Sequence, residues 1–158
     1  MSVIAQPPAI YAAIEKYLTV IAAHPTAEHM MEQILLEDFE TGLRGGDMWR
    51  GIEGMRAWLA QREQFFDQRT ELKAILSMTP ISDEEAEVVT RVEFFMRRWK
   101  PPSPVSEEFT GTAFHTWRIR SDGKTLRIAS LLIDGYANLN NNSRRLIASP
   151  VLGADVEE

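Results

Sequence analysis

The stretch Phe109-Thr-Gly-Thr-Ala-Phe-His-Thr-Trp-Arg-Ile119 holds the richest chemistry in this chain, because strand alternation puts Phe109, Gly111, Ala113, His115, Trp117 and Ile119 on one face. That row is apolar, small at Gly111 and Ala113, and interrupted by a single histidine. Small residues leave room between larger walls. His115, which titrates near neutrality, would offer a proton donor or acceptor within that room. The same pattern also suits a buried histidine satisfied by a backbone or carboxylate partner, and both readings stand at this point.

Arg62 is the second candidate. It falls seven residues after Met55, on the apolar side of a helix-patterned segment. A guanidinium keeps its proton, so it must either snorkel past Phe66 to water or enter a pocket and hold a carboxylate or an enolate oxygen. Tyr17 carries a hydroxyl on an otherwise apolar helical stripe, and Trp58, Phe66, Ala113 and Trp117 supply wall material. Two carboxylates are positioned to assist His115. Asp38 sits where a helix passes into a strand, although it is equally an ordinary solvated turn acid. Asp134 ends the apolar run Leu131-Leu-Ile-Asp134 and could pair with Arg62 or a strand arginine instead.

These groups need elements to position them. Pro7-Pro8 opens a helix whose apolar residues are Ile10, Ile14, Tyr17, Leu18 and Ile21, and His24-Pro25 stops it. Thr26 caps a short second helix, a brief strand lies within Leu36 to Leu43, and Arg44-Gly-Gly-Asp47 is a turn. A third helix is expected from about Gly51 to Phe66. Strands follow over Glu71 to Ile81, Val88 to Trp99, Phe109 to Arg120 and Leu126 to about Tyr136. The first of these could instead prolong the third helix. A proline-rich loop, Lys100 to Ser106, separates the second and third strands. From Asn138 to Glu158 neither period is visible, so an irregular or mobile tail is expected.

Composition narrows the function classes. With 158 residues, 44% hydrophobic, the chain can bury one core, and a single domain spanning 1–158 is expected. It has no cysteine, which removes disulfides, thiol nucleophiles and thiolate metal sites and suits a reducing compartment. His24, His29 and His115 lack metal-ligand spacing, and no phosphate loop, dinucleotide fingerprint or nucleophile elbow occurs, so neither metal nor cofactor is expected. A net charge of −6 argues against nucleic acid. The opening residues lack a basic, apolar leader pattern and no run is long enough to span a bilayer, so a cytoplasmic protein without membrane attachment is expected.

The order of elements, with Trp49-Arg-Gly-Ile-Glu-Gly-Met55 leading into the third helix and Ser121-Asp-Gly-Lys124 before the final strand, resembles the NTF2-like (SnoaL-like) superfamily over about residues 10–137. The resemblance implies an α+β cone, with N-terminal helices packed in the concave face of a curved, mostly antiparallel sheet. It also implies an apolar pocket within the cone, a reach into that pocket from the position of Asp38, and frequent homodimers through the outer sheet face. Arg91, Glu93, Phe95, Arg97 and Trp99, with Thr110, Thr112, Phe114, Thr116 and Arg118, fall on that outer face by parity. The family hosts isomerases, cyclases, dehydratases and non-catalytic domains, so it selects no single activity. The expectation is a cofactor-independent acid–base enzyme acting on an apolar or aromatic carbonyl compound. In it His115 moves the proton, Asp38 or Asp134 orients it, and Arg62 or Tyr17 stabilises negative charge on oxygen. The alternative is a ligand-binding or dimeric assembly domain without catalysis.

Overall fold

The computed structural model describes residues 7–147. Helix α1 (Pro7–Ala22) begins on its two prolines, which cost little in a first turn, and buries Ile10, Ile14, Tyr17, Leu18 and Ile21. Helix α2 (Ala27–Gln33) is capped by Thr26, whose hydroxyl accepts from the His29 amide at 3.1 Å. Strands β1 (Leu35–Leu43) and β2 (Met48–Arg50) precede helix α3 (Gly51–Arg62), and Gly51 starts that helix at φ +64°, where a side chain would be strained. Four long strands follow: β3 (Asp67–Pro80), β4 (Glu85–Arg98), β5 (Glu107–Ser121) and β6 (Leu126–Ala137). Helix α4 (Asn141–Ile147) closes the described chain.

The strands form one curved, unclosed sheet in the order β2-β1-β6-β5-β4-β3, antiparallel throughout except where β1 lies parallel to β6. This is the expected α+β cone. Helix α1 packs across the concave face against β3 and β6, and its apolar stripe meets Phe39, Met55, Val88, Trp117, Ile119 and Ile128 in one buried core. Burial of that stripe, rather than intrinsic propensity, is what holds a helix of this length.

Two boundaries differ from the sequence expectation. Helix α3 ends at Arg62 rather than Phe66, because the Phe65 amide turns back to the Arg62 carbonyl and the Phe66 amide donates to Arg97 O at 3.1 Å, drawing the chain onto the sheet edge. Strand β3 therefore starts at Asp67, four residues early, secured by the Arg97–Asp67 ion pair at 2.9 Å. Residues 141–147, expected to be irregular, are helical. Asn140 Oδ1 accepts from the Ser143 amide at 2.9 Å, while Asn140 and Asn142 donate to Glu108 O and Ser143 Oγ donates to Thr110 O. The asparagines that conceal a helical period serve as the cap and the staple to β5. Residues 148–158 of the expected tail lie outside the described residues. No helix among the described residues is long and apolar enough to cross a membrane.

Candidate functional site

A cavity of about 130 Å³ lies between α1, α3, α4 and the concave sheet face. Leu18, Ile21, Phe65, Val92, Phe94, Met96, Leu131, Ile133, Leu146 and Ile147 make it apolar, and Tyr17, Gln61, Arg62, Thr70, His115 and Tyr136 bring polar atoms to its wall. Four of those polar atoms are fully buried and lack a hydrogen-bond partner among the described residues: Tyr17 Oη, Gln61 Oε1, Arg62 Nε and His115 Nδ1. Buried donors and acceptors are ordinarily satisfied, and each that is not costs about 1–3 kcal/mol. All four belong to residues that line this one cavity.

His115 reaches the cavity from the middle of β5, opposite Thr90 of β4 and Ile133 of β6. Its ring packs edge-on to Trp117 with centroids 5.8 Å apart, and Trp117 packs edge-on to Tyr17 at 5.2 Å. Burial pushes the imidazole down to about 4, with Asp134 working against that shift and Arg62 adding to it. The histidine is therefore neutral at pH 7. Burial also drives the Tyr17 hydroxyl well above its usual range and Tyr136 up to about 12, in both cases opposed by Arg62. Both phenols remain protonated donors. Arg62, in the last turn of α3, is pushed down by burial and supported by Tyr17 and Tyr136, and it forms no ion pair among the described residues. By contrast Arg98 and Arg127, two other partly exposed arginines, each hold a carboxylate, Glu107 at 3.2 Å and Asp122 at 2.8 Å.

Of the residues singled out from sequence, His115, Arg62, Tyr17, Trp58 and Ala113 line the cavity. The remainder do not. Asp38 points to the outer side of the sheet, where it pairs with Arg120 at 3.4 Å. Asp134 is the extra residue of a β-bulge, because Phe114 pairs with Gly135 while His115 pairs with Ile133. Asp134 faces outward, as alternation from Ile133 requires, and there it accepts from Arg44 and Thr116 and reaches His115 only as a charge. Phe66 is 55% exposed beneath the Arg97 guanidinium, since the early end of α3 swings it away. Trp117 lies behind the wall, fully buried, with its indole N–H donating to Thr90 Oγ1 at 2.8 Å. Gly111 leaves no free room either: a Cβ there would sit 2.5 Å from Leu139 Cδ2 and 2.8 Å from Phe94 Cζ.

Three polar wall residues were not anticipated. Gln61 was legible, for Trp58, Gln61, Arg62 and Phe65 follow i, i+3, i+4, i+7 spacing on α3. Thr70 was hidden by the late start assigned to β3. Tyr136 was hidden by the bulge, which reverses the parity after Ile133 so that Asp134 and Tyr136 occupy opposite faces. Among the described residues no group of three or more histidine and carboxylate side chains could hold a metal ion.

No protein-family model and no curated protein matches the chain by sequence. Solved structures do match. A protein described as scytalone dehydratase-like from Novosphingobium aromaticivorans superposes with a TM-score of 0.72 at 13% identity, covering 87% of this chain and 88% of that one. A hexachlorocyclohexane dehydrochlorinase (LinA type 2) gives 0.65 at 13% identity, covering 87% and 91%. A ketosteroid isomerase-like protein from Erwinia carotovora atroseptica gives 0.59 at 16% identity, covering 82% and 95%. At such identities the likeness is one of fold.

Proposed function

We propose, from the premise that this chain has the NTF2-like (SnoaL-like) fold, that it is a small-molecule enzyme of the isomerase, cyclase or dehydratase type, working by acid–base chemistry on a mostly apolar carbonyl compound. The observation that carries this reading is the set of unpartnered polar atoms of Tyr17, Gln61, Arg62 and His115 in one apolar cavity. The names borne by the structural neighbours, a dehydratase-like protein, a dehydrochlorinase and an isomerase-like protein, are in keeping with it.

The neutral imidazole of His115 takes a proton from the carbon next to the substrate carbonyl. The C–H electron pair moves into a new C=C bond, and the carbonyl π electrons move onto oxygen, giving an enolate and an imidazolium. Tyr17, held protonated, donates to that oxygen while the Arg62 charge stabilises it. The negative charge formed in the cavity also favours the imidazolium, which offsets the burial that keeps the free base weak. Returning the proton at a different atom gives isomerisation, and expelling a β-substituent gives elimination. Asp38 and Asp134 take no part as contact groups, which leaves His115 as the base among the described residues that line the cavity.

The alternative reading, a ligand-binding domain without catalysis, is favoured by that same lack of a carboxylate against His115. Deuterium wash-in separates them. Compact cyclic ketones incubated in D2O with the wild type should exchange α-hydrogens, and His115→Gln should slow this by about 10²-fold or more. Binding without exchange above the buffer rate would leave only the binding domain. We further place the protein in the cytoplasm and propose a homodimer through the outer sheet face, where Phe95 and Phe114 are half-buried and Arg69 lies 4.6 Å over the Phe95 ring. Light scattering that gives a monomer mass would remove the dimer.

A further inference from the structure

We infer that the ligand of this cavity is a compact, single-ring carboxylic acid, bound as its carboxylate to the Arg62 guanidinium with the Tyr17 and Tyr136 hydroxyls beside it. The inference rests on the functional reading above only in taking this cavity as the site, and it narrows the substrate class.

Charge is the first reason. Arg62 stays cationic, its Nε is sealed and unpaired, and no carboxylate among the described residues contacts it. Arg62 is partly exposed, and a cation set against an apolar wall with no ion-pair partner among the described residues favours a counter-charge supplied by a ligand. The two tyrosines cannot supply it, because burial keeps both phenols protonated. They are additional donors. A guanidinium with two hydroxyls is a donor-rich, positively charged cluster, which a carboxylate with its four lone-pair sites and negative charge matches better than a neutral ketone oxygen does.

Size is the second reason. At about 130 Å³ the cavity falls below the range typical of drug-sized ligand sites and close to an engineered apolar cavity of about 150 Å³ that takes up benzene. One six-membered ring with a small polar group fits this space, whereas fused-ring skeletons do not. Ile21, Val92, Leu131 and Ile133 leave the ring end with no polar partner, so a free inorganic anion would leave most of the cavity empty or force water against apolar walls.

The experiment titrates the full chain, by calorimetry and thermal shift, with benzoate and cyclohexanecarboxylate, their neutral counterparts benzamide and cyclohexyl methyl ketone, and the two-ring acid 2-naphthoate. The same titrations are run on Arg62→Met and Arg62→Lys. The single-ring acids should bind the wild type at least tenfold more tightly than the neutral compounds and the two-ring acid. Arg62→Met should lose on the order of a hundredfold for the acids and little for the neutral compounds, with Arg62→Lys in between. Arg62→Met should also melt close to the wild type, since the guanidinium holds no ion pair among the described residues that the variant would lose. Equal binding of acids and neutral compounds by the wild type overturns the inference even if Arg62→Met does not fold, and so does full acid affinity in that variant. A preference for the single-ring acids with no α-hydrogen exchange of cyclohexyl methyl ketone above the buffer rate sinks the catalytic reading alone, while exchange of that ketone with no preference for acids sinks this one alone.

Discussion

Replacing His115 by glutamine should remove a specific acid sensitivity from the protein, and its size follows from the burial of the ring. In the native state burial holds the imidazole down to about 4, with Asp134 opposing and Arg62 assisting, against an ordinary value of 6.5. As pH falls below 6.5 the unfolded chain takes up this proton while the folded chain does not, so stability present above 6.5 drains away until the folded state titrates too. The 6.5-to-4 interval, at about 1.4 kcal/mol per pH unit, amounts to about 3 kcal/mol once the pH is below 4. By pH 5 the loss attributable to this ring is about 2 kcal/mol. Urea unfolding followed by circular dichroism at pH 8, 7, 6 and 5, on wild type and His115→Gln, isolates it, because every other group is common to the two proteins. Wild-type stability relative to the variant should fall by about 2 kcal/mol from pH 8 to pH 5. Parallel curves would refute the reasoning, since they require a ring that is hydrated or already paired in the folded state.

The cavity, the bulge and the crowded glycine each make a further test. Ala113→Leu fills the cavity from the sheet side, so ligand binding should be lost while urea unfolding shows a gain of about 1 kcal/mol. Asp134→Asn removes the charge that supports protonated His115 without altering the cavity wall, so the His115 ring should titrate at lower pH by NMR while turnover changes by less than about tenfold. Gly111→Ala drives a methyl group into Leu139 and Phe94, and should lower unfolding free energy by about 1–3 kcal/mol through overpacking between β5 and the α4 connection.

How much of this was legible in the sequence depended on whether local pattern or long-range register decided the matter. The helical stripe from Ile10 to Ile21, the Thr26 cap and the alternation of β5 are set by neighbours three to four residues or two residues apart, and each appeared as expected. His115, Arg62 and Tyr17 followed from those faces and meet at one cavity. What failed was parity carried across an irregularity. The bulge at Asp134 has no marker in Leu131-Leu-Ile-Asp-Gly-Tyr136 other than Gly135, yet it brings to the cavity Tyr136, which simple alternation would leave beside Asp134 on the outer face. The end of α3 is decided by a hydrogen bond from Phe66 to Arg97, thirty-one residues on, which local propensity cannot carry. Asp38 lies inside β1, between Leu35 and Glu40, where the register with β6 shifts and simple alternation no longer assigns a face. It finds Arg120 on the outer side.

The claim at the centre of this account is that the apolar cavity beneath α1 is the working site and that His115 faces its ligand. The chain has three histidines, so a ring-labelled protein gives three resolvable sets of NMR signals, and addition of saturating benzoate or cyclohexyl methyl ketone reads the claim directly. The His115 ring signals should shift on binding while those of His24 and His29 stay in place. Ligand-induced shifts at His24 or His29 with His115 unmoved would contradict it.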